Sequence, residues 1–571
     1  MRETLDATPP ATLDVRATAL RTGAGLSVDR FIARETPGNV GVALSGGGSR
    51  SAVASMGQLR GLHALGLLDE VRAIAAVSGG SWLSAAWTFL PREFADEDFL
   101  GPYVADPGEL VLVGPERAPP GACLTEVACS NFAHAITRKD FTAVGLTAGV
   151  AAFSKRGVPG GRVWQAVIGE RLFAPFGLYA ASDDGQPRSF FAFDEAAAQA
   201  ARDANPGLAS ATAHVVKQPH AGEARRPFYI CNVGLEVRDE LGEPAIAPLQ
   251  GTPFFVGVTS QPAARDAWNQ RIGGAAVTPF CFGGQLLDRV GPTDAVADDE
   301  HPIAVRISSL FSLWDLVGTS SAFYADFLFD RQRDGIVPRY DYFCPAADPP
   351  AGQPNHFVDG GSVDTLGVTA LLAYEDIDSL IVFVNGPEPV ERSTDGLDLV
   401  IVDRGIPPLF GYQPYREGVG YLPYAAGAPA IPAGACGDVD PKATDFRHDR
   451  VFPEHAFAEL LDGLWAATSG GGERAGVESC AFLQRSLKVQ ANAWFGVRER
   501  VVDVLWFHLD PASTWTDQLR PVVAAAVPQR WPNYPTIETG LSAPQVNYLA
   551  HFTAWCVAAR APELRELFGR S

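Results

Sequence analysis

The residues of this chain best suited to chemistry lie in two glycine-rich turns. The first is Ser45-Gly46-Gly47-Gly48-Ser49-Arg50, after the apolar run Val42-Ala43-Leu44. The second is Ser78-Gly79-Gly80-Ser81-Trp82, after Ile74-Ala75-Ala76-Val77. A strand that turns sharply on small residues into a helix pushes a serine hydroxyl out at the sheet edge. Backbone N–H groups and the positive end of the helix then lie close by. Ser78 fits that place, because its neighbours Ala76 and Gly80 are small and Gly79 follows directly. Ser81 fits less well, since Leu83 stands where a small residue is needed, and Ser45 reads as a turn residue. The bare amides of the first turn suit a developing oxyanion. Such parts serve acyl transfer through a serine.

A serine hydroxyl is a poor nucleophile until an adjacent base takes its proton. The sequence offers a carboxylate at His356-Phe357-Val358-Asp359-Gly360-Gly361, where an apolar run ends in flexible backbone. Asp-Gly-Gly alone is most often a plain turn. Asp364, just beyond it, is placed to cap the helix expected to follow Thr365, and is the reserve base. The chain has ten histidines, and a Ser…Asp…His order would recruit His448, His455, His508 or His551. None of these stands among the small residues of an active-site loop. His508 lies inside the apolar run Val504–Leu509 and reads as a strand residue; His356 shares a strand with Asp359.

Taken in order, Ser-Gly-Gly-Gly-Ser-Arg, Val-Ser-Gly-Gly-Ser-Trp and Phe-Val-Asp-Gly-Gly resemble the patatin-like lipid acyl hydrolases, and more closely the cytosolic phospholipase A2 catalytic domain. Pro248–Gly257 and Leu313–Phe323 look like segments which that family carries between its serine and its aspartate. The resemblance spans about Asn39 to Gly386. It implies a three-layer α/β fold with a central, mostly parallel sheet and a large cap insertion. It also implies a Ser78–Asp359 dyad, an oxyanion hole at Gly46, Gly47 and Gly48, and a substrate phosphate held by Arg50. The implied activity is hydrolysis of phospholipid or lysophospholipid acyl esters through an acyl-serine, with no metal and no cofactor. The same dyad would also serve a neutral-lipid esterase or a transacylase, and a silent lipid-binding scaffold is the reading outside enzymes. Arg50 has a structural alternative, a salt bridge on the first turn of its helix. Thr365 and Gly367 stand where the family usually has asparagine and proline.

Several elements must position these residues. Strands are expected at Val40–Leu44 and Ala73–Val77, with a helix from about Ser51 to Leu65 whose buried stripe is Ala54, Leu59, Leu62 and Leu65. Two strand–helix units in succession imply parallel pairing through right-handed crossovers. Residues 1–38 read as an extension, partly helical around Arg16–Leu20, and 39–571 as one catalytic domain. Between Glu93 and Pro227 the pattern loosens into proline- and glycine-rich turns and an alanine-rich helix at Asp194–Ala204, as a cap would. Phe141–Ala152 is a candidate lid or, alternatively, a buried helix. Further strands are expected at Phe228–Glu236, Phe254–Val258 and Leu380–Val384. A C-terminal subregion runs from about 403 to 571. It opens on a loop with Tyr412, Tyr415, Tyr421 and Tyr424, suited either to a lipid interface or to an ordinary surface. Gly470–Gly472 is a break before the last helices.

Composition narrows the classes. At 571 residues and 47% hydrophobic, the chain can bury one large core. A formal net charge of −21 opposes nucleic-acid binding and simple adsorption to anionic membranes. Peripheral contact with lipid would then rest on apolar and aromatic side chains. Met1–Thr22 lacks a positive segment followed by an apolar core, so no secretory signal is expected. No apolar run approaches the ~18 residues of a membrane span. The eight cysteines form no C-x-x-C pair and read as reduced thiols of a cytoplasmic protein, with only Cys123 and Cys129 near enough for a local disulfide.

Overall fold

The computed structural model describes residues 12–22, 25–33, 38–113, 119–218, 225–289, 300–323, 337–345, 352–424, 446–468 and 479–570. Its centre is a stack of parallel strands: Phe228–Asp239, Ala73–Val77, Val40–Leu44, Ser379–Val384 and Arg500–His508, in that spatial order. Val40–Leu44 and Ala73–Val77 are buried at every position, as apolar runs covered on both faces must be. Antiparallel strands extend this centre on both sides into a 15-stranded sheet. The strand bearing the late aspartate, Gln353–Asp359, pairs antiparallel with Phe228–Asp239, setting Asp359 opposite Val233.

Two helices leave the carboxyl ends of the central strands. Gly48–Ala64 follows the first glycine turn, and Gly79–Thr88 follows Ser78. The first of these is buried along both faces because the late helix Ala543–Ala559 lies against it. Gly57 and Gly61, one turn apart, permit that approach. A Cβ on Gly61 would sit 2.7 Å from the Cβ of Val557, and one on Gly57 would sit 2.9 Å from the carbonyl carbon of Ala550. The short helix Val368–Leu372 packs on the central strands Val40–Leu44 and Ala73–Val77.

The N-terminal segment differs from the expected partly helical extension. Leu13–Arg21 is a strand, paired antiparallel with Glu300–Ile307 and Ala275–Val277. The reason is legible in its alternation: Val15, Ala17 and Ala19 are buried while Asp14 and Arg16 are exposed. Residues 1–11 lie outside the described residues, as does the Gly470–Gly472 break.

Between the Gly79–Thr88 helix and the Phe228–Asp239 strand the chain forms short helices and a separate two-stranded parallel sheet, Ser189–Ala192 with Thr212–Val215. The lid candidate is the helix Ala143–Lys155. It buries one face, with Leu146, Gly149, Val150 and Phe153, and leaves Val144 exposed, so it is neither wholly buried nor wholly free. Among the described tyrosines of the later loop, Tyr415 donates to Asp395 Oδ2 at 2.5 Å and Tyr421 to the Val400 carbonyl at 2.9 Å, while the Tyr412 ring stacks on Phe457. Cys123 and Cys129 form no disulfide. No helix among the described residues is long and apolar enough to cross a membrane.

Candidate active site

Ser78 sits between the Ala73–Val77 strand and the Gly79–Thr88 helix with φ 50° and ψ −116°, a backbone conformation rare outside glycine. The surroundings hold it there. Its amide donates to Ser320 Oγ at 3.0 Å, and its carbonyl accepts from the amides of Ser81 at 3.0 Å and Trp82 at 3.2 Å. The Ser81 hydroxyl also donates to that carbonyl at 2.6 Å, which leaves Ser81 bracing the turn. Both following glycines are sterically required. A Cβ on Gly79 would lie 2.7 Å from the Gly48 nitrogen, and one on Gly80 would lie 2.7 Å from the Leu44 carbonyl oxygen.

Asp359 ends its strand facing the serine. The Ser78 hydroxyl donates to Asp359 Oδ2 at 2.8 Å, across 281 positions of sequence. The Phe323 amide donates to the same oxygen at 3.3 Å, and the Gly361 amide donates to Oδ1 at 2.7 Å. Ser78 is 6% exposed and Asp359 7%. Burial in low dielectric disfavours the charged carboxylate and pushes its pKa up to about 6, against the opposing pull of the Gly361, Ser78 and Phe323 hydrogen bonds and the Arg404 charge. A carboxylate so tuned is a stronger base than an exposed aspartate and remains mostly ionised at neutral pH.

The first glycine turn closes the other side. An added Cβ on Gly46 would stand 3.5 Å from the Ser78 Cβ. The Gly46 amide is engaged, donating to the Thr365 carbonyl at 2.9 Å, so Gly46 shapes the loop and has no free N–H to offer a ligand. Gly47 and Gly48 have φ of 136° and 58°, and among the described residues no acceptor takes their amide hydrogens. The helices starting at Gly48 and Gly79 thus bring two N-terminal ends against the serine.

Arg50 is placed differently from the expectation that it meets a substrate phosphate. It is 1% exposed, and its guanidinium points into the protein. Nε donates to the Asn385 carbonyl at 2.8 Å, Nη1 to the Tyr534 carbonyl, and Nη2 to Thr536 Oγ1 at 3.2 Å. The five donors of a planar fork satisfy carbonyls as well as phosphates, and the chain supplies the carbonyls first. These bonds tie the glycine-turn helix to the residue that follows the Ser379–Val384 strand and to the 534–536 loop.

Asp364 braces the start of the Val368–Leu372 helix from outside its N-cap, Gly367, accepting from Gly367 N at 2.8 Å, Thr369 Oγ1 at 2.6 Å and Ala370 N at 3.2 Å. The histidines are engaged elsewhere. His508 Nε2 accepts from the Asp403 amide at 3.1 Å, His551 contacts the Gly121 carbonyl at 3.0 Å, and the His448 ring stacks on Trp494. Three contributors carried no signal of their own in the sequence. Ser320 and the Phe323 amide fall within the Leu313–Phe323 segment that the family resemblance marked without assigning roles. Asn385 receives no such mark. Its amide donates to Ser45 Oγ at 2.8 Å and its side chain bonds Gln58 and Ser55, which pins the back of the glycine turn.

No protein-family model matches the sequence, and no curated protein matches it. Among solved structures, the chain is similar to human GIVD cytosolic phospholipase A2, with a TM-score of 0.44 and 13% identity over 93% of this chain and 60% of that one. A structure of that protein in complex with methyl gamma-linolenyl fluorophosphonate gives a TM-score of 0.42 and 14% identity over 93% and 59%. The chain thus spans 60% of the length of the first of these neighbours.

Proposed function

We propose that the protein is a serine-dependent lipid acyl hydrolase acting on glycerophospholipid or lysophospholipid esters. The observation that carries this reading is the 2.8 Å hydrogen bond from the Ser78 hydroxyl to a buried carboxylate of raised pKa, beside two unengaged glycine amides. In the first half-reaction Ser78 Oγ attacks the ester carbonyl carbon as its proton passes to Asp359. The amides of Gly47 and Gly48 stabilise the oxyanion, each contributing roughly 3–4 kcal/mol in comparable sites. Collapse expels the alcohol, which leaves with the proton from Asp359. Asp359 then takes a proton from water as that water attacks the acyl-serine, and the second collapse returns the proton to Ser78 and frees the fatty acid.

The phospholipid assignment rests on the ordered motifs of the sequence. The reading extends to a cytoplasmic protein that meets lipid aggregates peripherally through apolar side chains, in keeping with the net charge of −21. The test is release of fatty acid from phosphatidylcholine, lysophosphatidylcholine and diacylglycerol in mixed micelles by the purified chain. Release that Ser78→Ala removes is the expected result. Failure to cleave any ester lipid would leave a lipid-binding scaffold as the better account.

A further inference from the structure

A turn at Asp403–Gly405, with a cation at its middle, packs on the segment that holds the glycine loop of this site. The turn is firmly built. The Asp403 amide donates to His508 Nε2 at 3.1 Å, and the Gly405 and Ile406 amides donate back to Asp403 at 2.9 and 3.0 Å. Its placement is equally defined. A Cβ on Gly405 would stand 3.2 Å from both Thr365 Cβ and Leu366 Cγ, and the Thr365 carbonyl is the acceptor that holds the Gly46 amide. The turn therefore packs directly on the residue that anchors the glycine loop.

Arg404, at the middle of the turn, is half-buried and makes no hydrogen bond or ion pair among the described residues. Its charge reaches the carboxylates of Asp359 and Glu388, yet it lies beyond ion-pair distance of either. Guanidinium groups drawn out of water ordinarily have an acceptor. Here a fork that would suit a phosphate has no acceptor among the described residues and is carried by a turn packed on Thr365, which holds the glycine loop, whereas the Arg50 fork is engaged by the protein.

We propose that Arg404, and not Arg50, is the residue that recognises the anionic group of the substrate, a phosphate diester linked to the scissile acyl ester. The proposal rests on the hydrolase reading above. A single guanidinium–phosphate contact of this kind is worth about ten- to a hundredfold in affinity.

The experiment measures kcat/KM of wild type, Arg404→Gln and Arg404→Lys for phosphatidylcholine and for diacylglycerol of the same acyl chains, with thermal melting as a check on folding. Labelling of the wild type by a neutral fluorophosphonate is established first. If it fails, the hydrolase reading falls and this proposal with it. Given labelling, the ratio of phospholipid to diacylglycerol activity is expected to drop at least tenfold in Arg404→Gln, mainly through KM, and to recover in part in Arg404→Lys. An unchanged ratio in a folded Arg404→Gln overturns the proposal while leaving the dyad standing. Inorganic phosphate is added in a separate arm. If it inhibits wild type but not Arg404→Gln while the lipid ratio stays the same, the site takes a free anion and the head-group assignment is wrong.

Discussion

Lowering the pH is the perturbation that most sharply separates a tuned Asp359 from an ordinary carboxylate. The hydroxyl of Ser78 is useful only while Asp359 is ionised, so kcat/KM follows the carboxylate fraction of the free enzyme. With burial holding the acid at about 6, the ionised fraction is about 0.9 at pH 7 and about 0.09 at pH 5, a loss of about tenfold. An aspartate at its ordinary value of 3.8 would still be about 94% ionised at pH 5 and would lose almost nothing. The assay is hydrolysis of a neutral, water-soluble short-chain ester, which avoids titration of the substrate or of a lipid surface. A profile that falls with unit slope below about pH 6 agrees with the structure. A flat profile between pH 7 and pH 5, in protein whose melting temperature is steady across that range, would refute the claim that burial tunes this base. Because Arg404 opposes the upward shift, Arg404→Gln should move the midpoint higher.

Further expectations concern stability and shape. An acid whose folded pKa is raised contributes most to stability below about pH 3.8, and that contribution is lost as pH rises through about 6, at most about 3 kcal/mol by neutrality. Asp359→Asn should therefore melt no lower than wild type at pH 7.5 while losing about 10²–10⁴ in kcat/KM, and a clear drop in melting temperature would contradict the assignment. Gly79→Ala pushes a methyl to within 2.7 Å of the Gly48 nitrogen; it should cost about 1–3 kcal/mol in a denaturant titration and most of the turnover. Arg50→Ala strands buried carbonyls and should cost roughly 2–4 kcal/mol of stability while reducing phospholipid and neutral-ester hydrolysis alike; selective loss on phospholipid would restore its phosphate role.

The central units were legible in the sequence because each obeys a local rule. Ala73–Val77 is an uninterrupted apolar run stopped by small residues, and the strand occupies that same run. The helix after the glycine turn begins earlier than its apolar stripe suggests, at Gly48, with Gly47 as its N-cap. Leu13–Arg21 misled because alanine and arginine favour helices in isolation, while its alternation was satisfied only by strands more than 250 residues away in sequence, at 275–277 and 300–307. Arg50 followed the same logic. Its neighbours in sequence said nothing of Tyr534 and Asn385, whose carbonyls reach it from distant parts of the chain. Ser320 and Asn385 were equally hidden, for a small polar residue beside an apolar run carries no mark of which loop it will brace.

The most direct measurement is the site of covalent capture. Treated with a fluorophosphonate and digested for peptide mass spectrometry, the wild-type protein should carry one phosphonyl group on Ser78, and Asp359→Asn should acquire it far more slowly. Modification of a different serine, or equal labelling of a folded Ser78→Ala protein, would contradict the account.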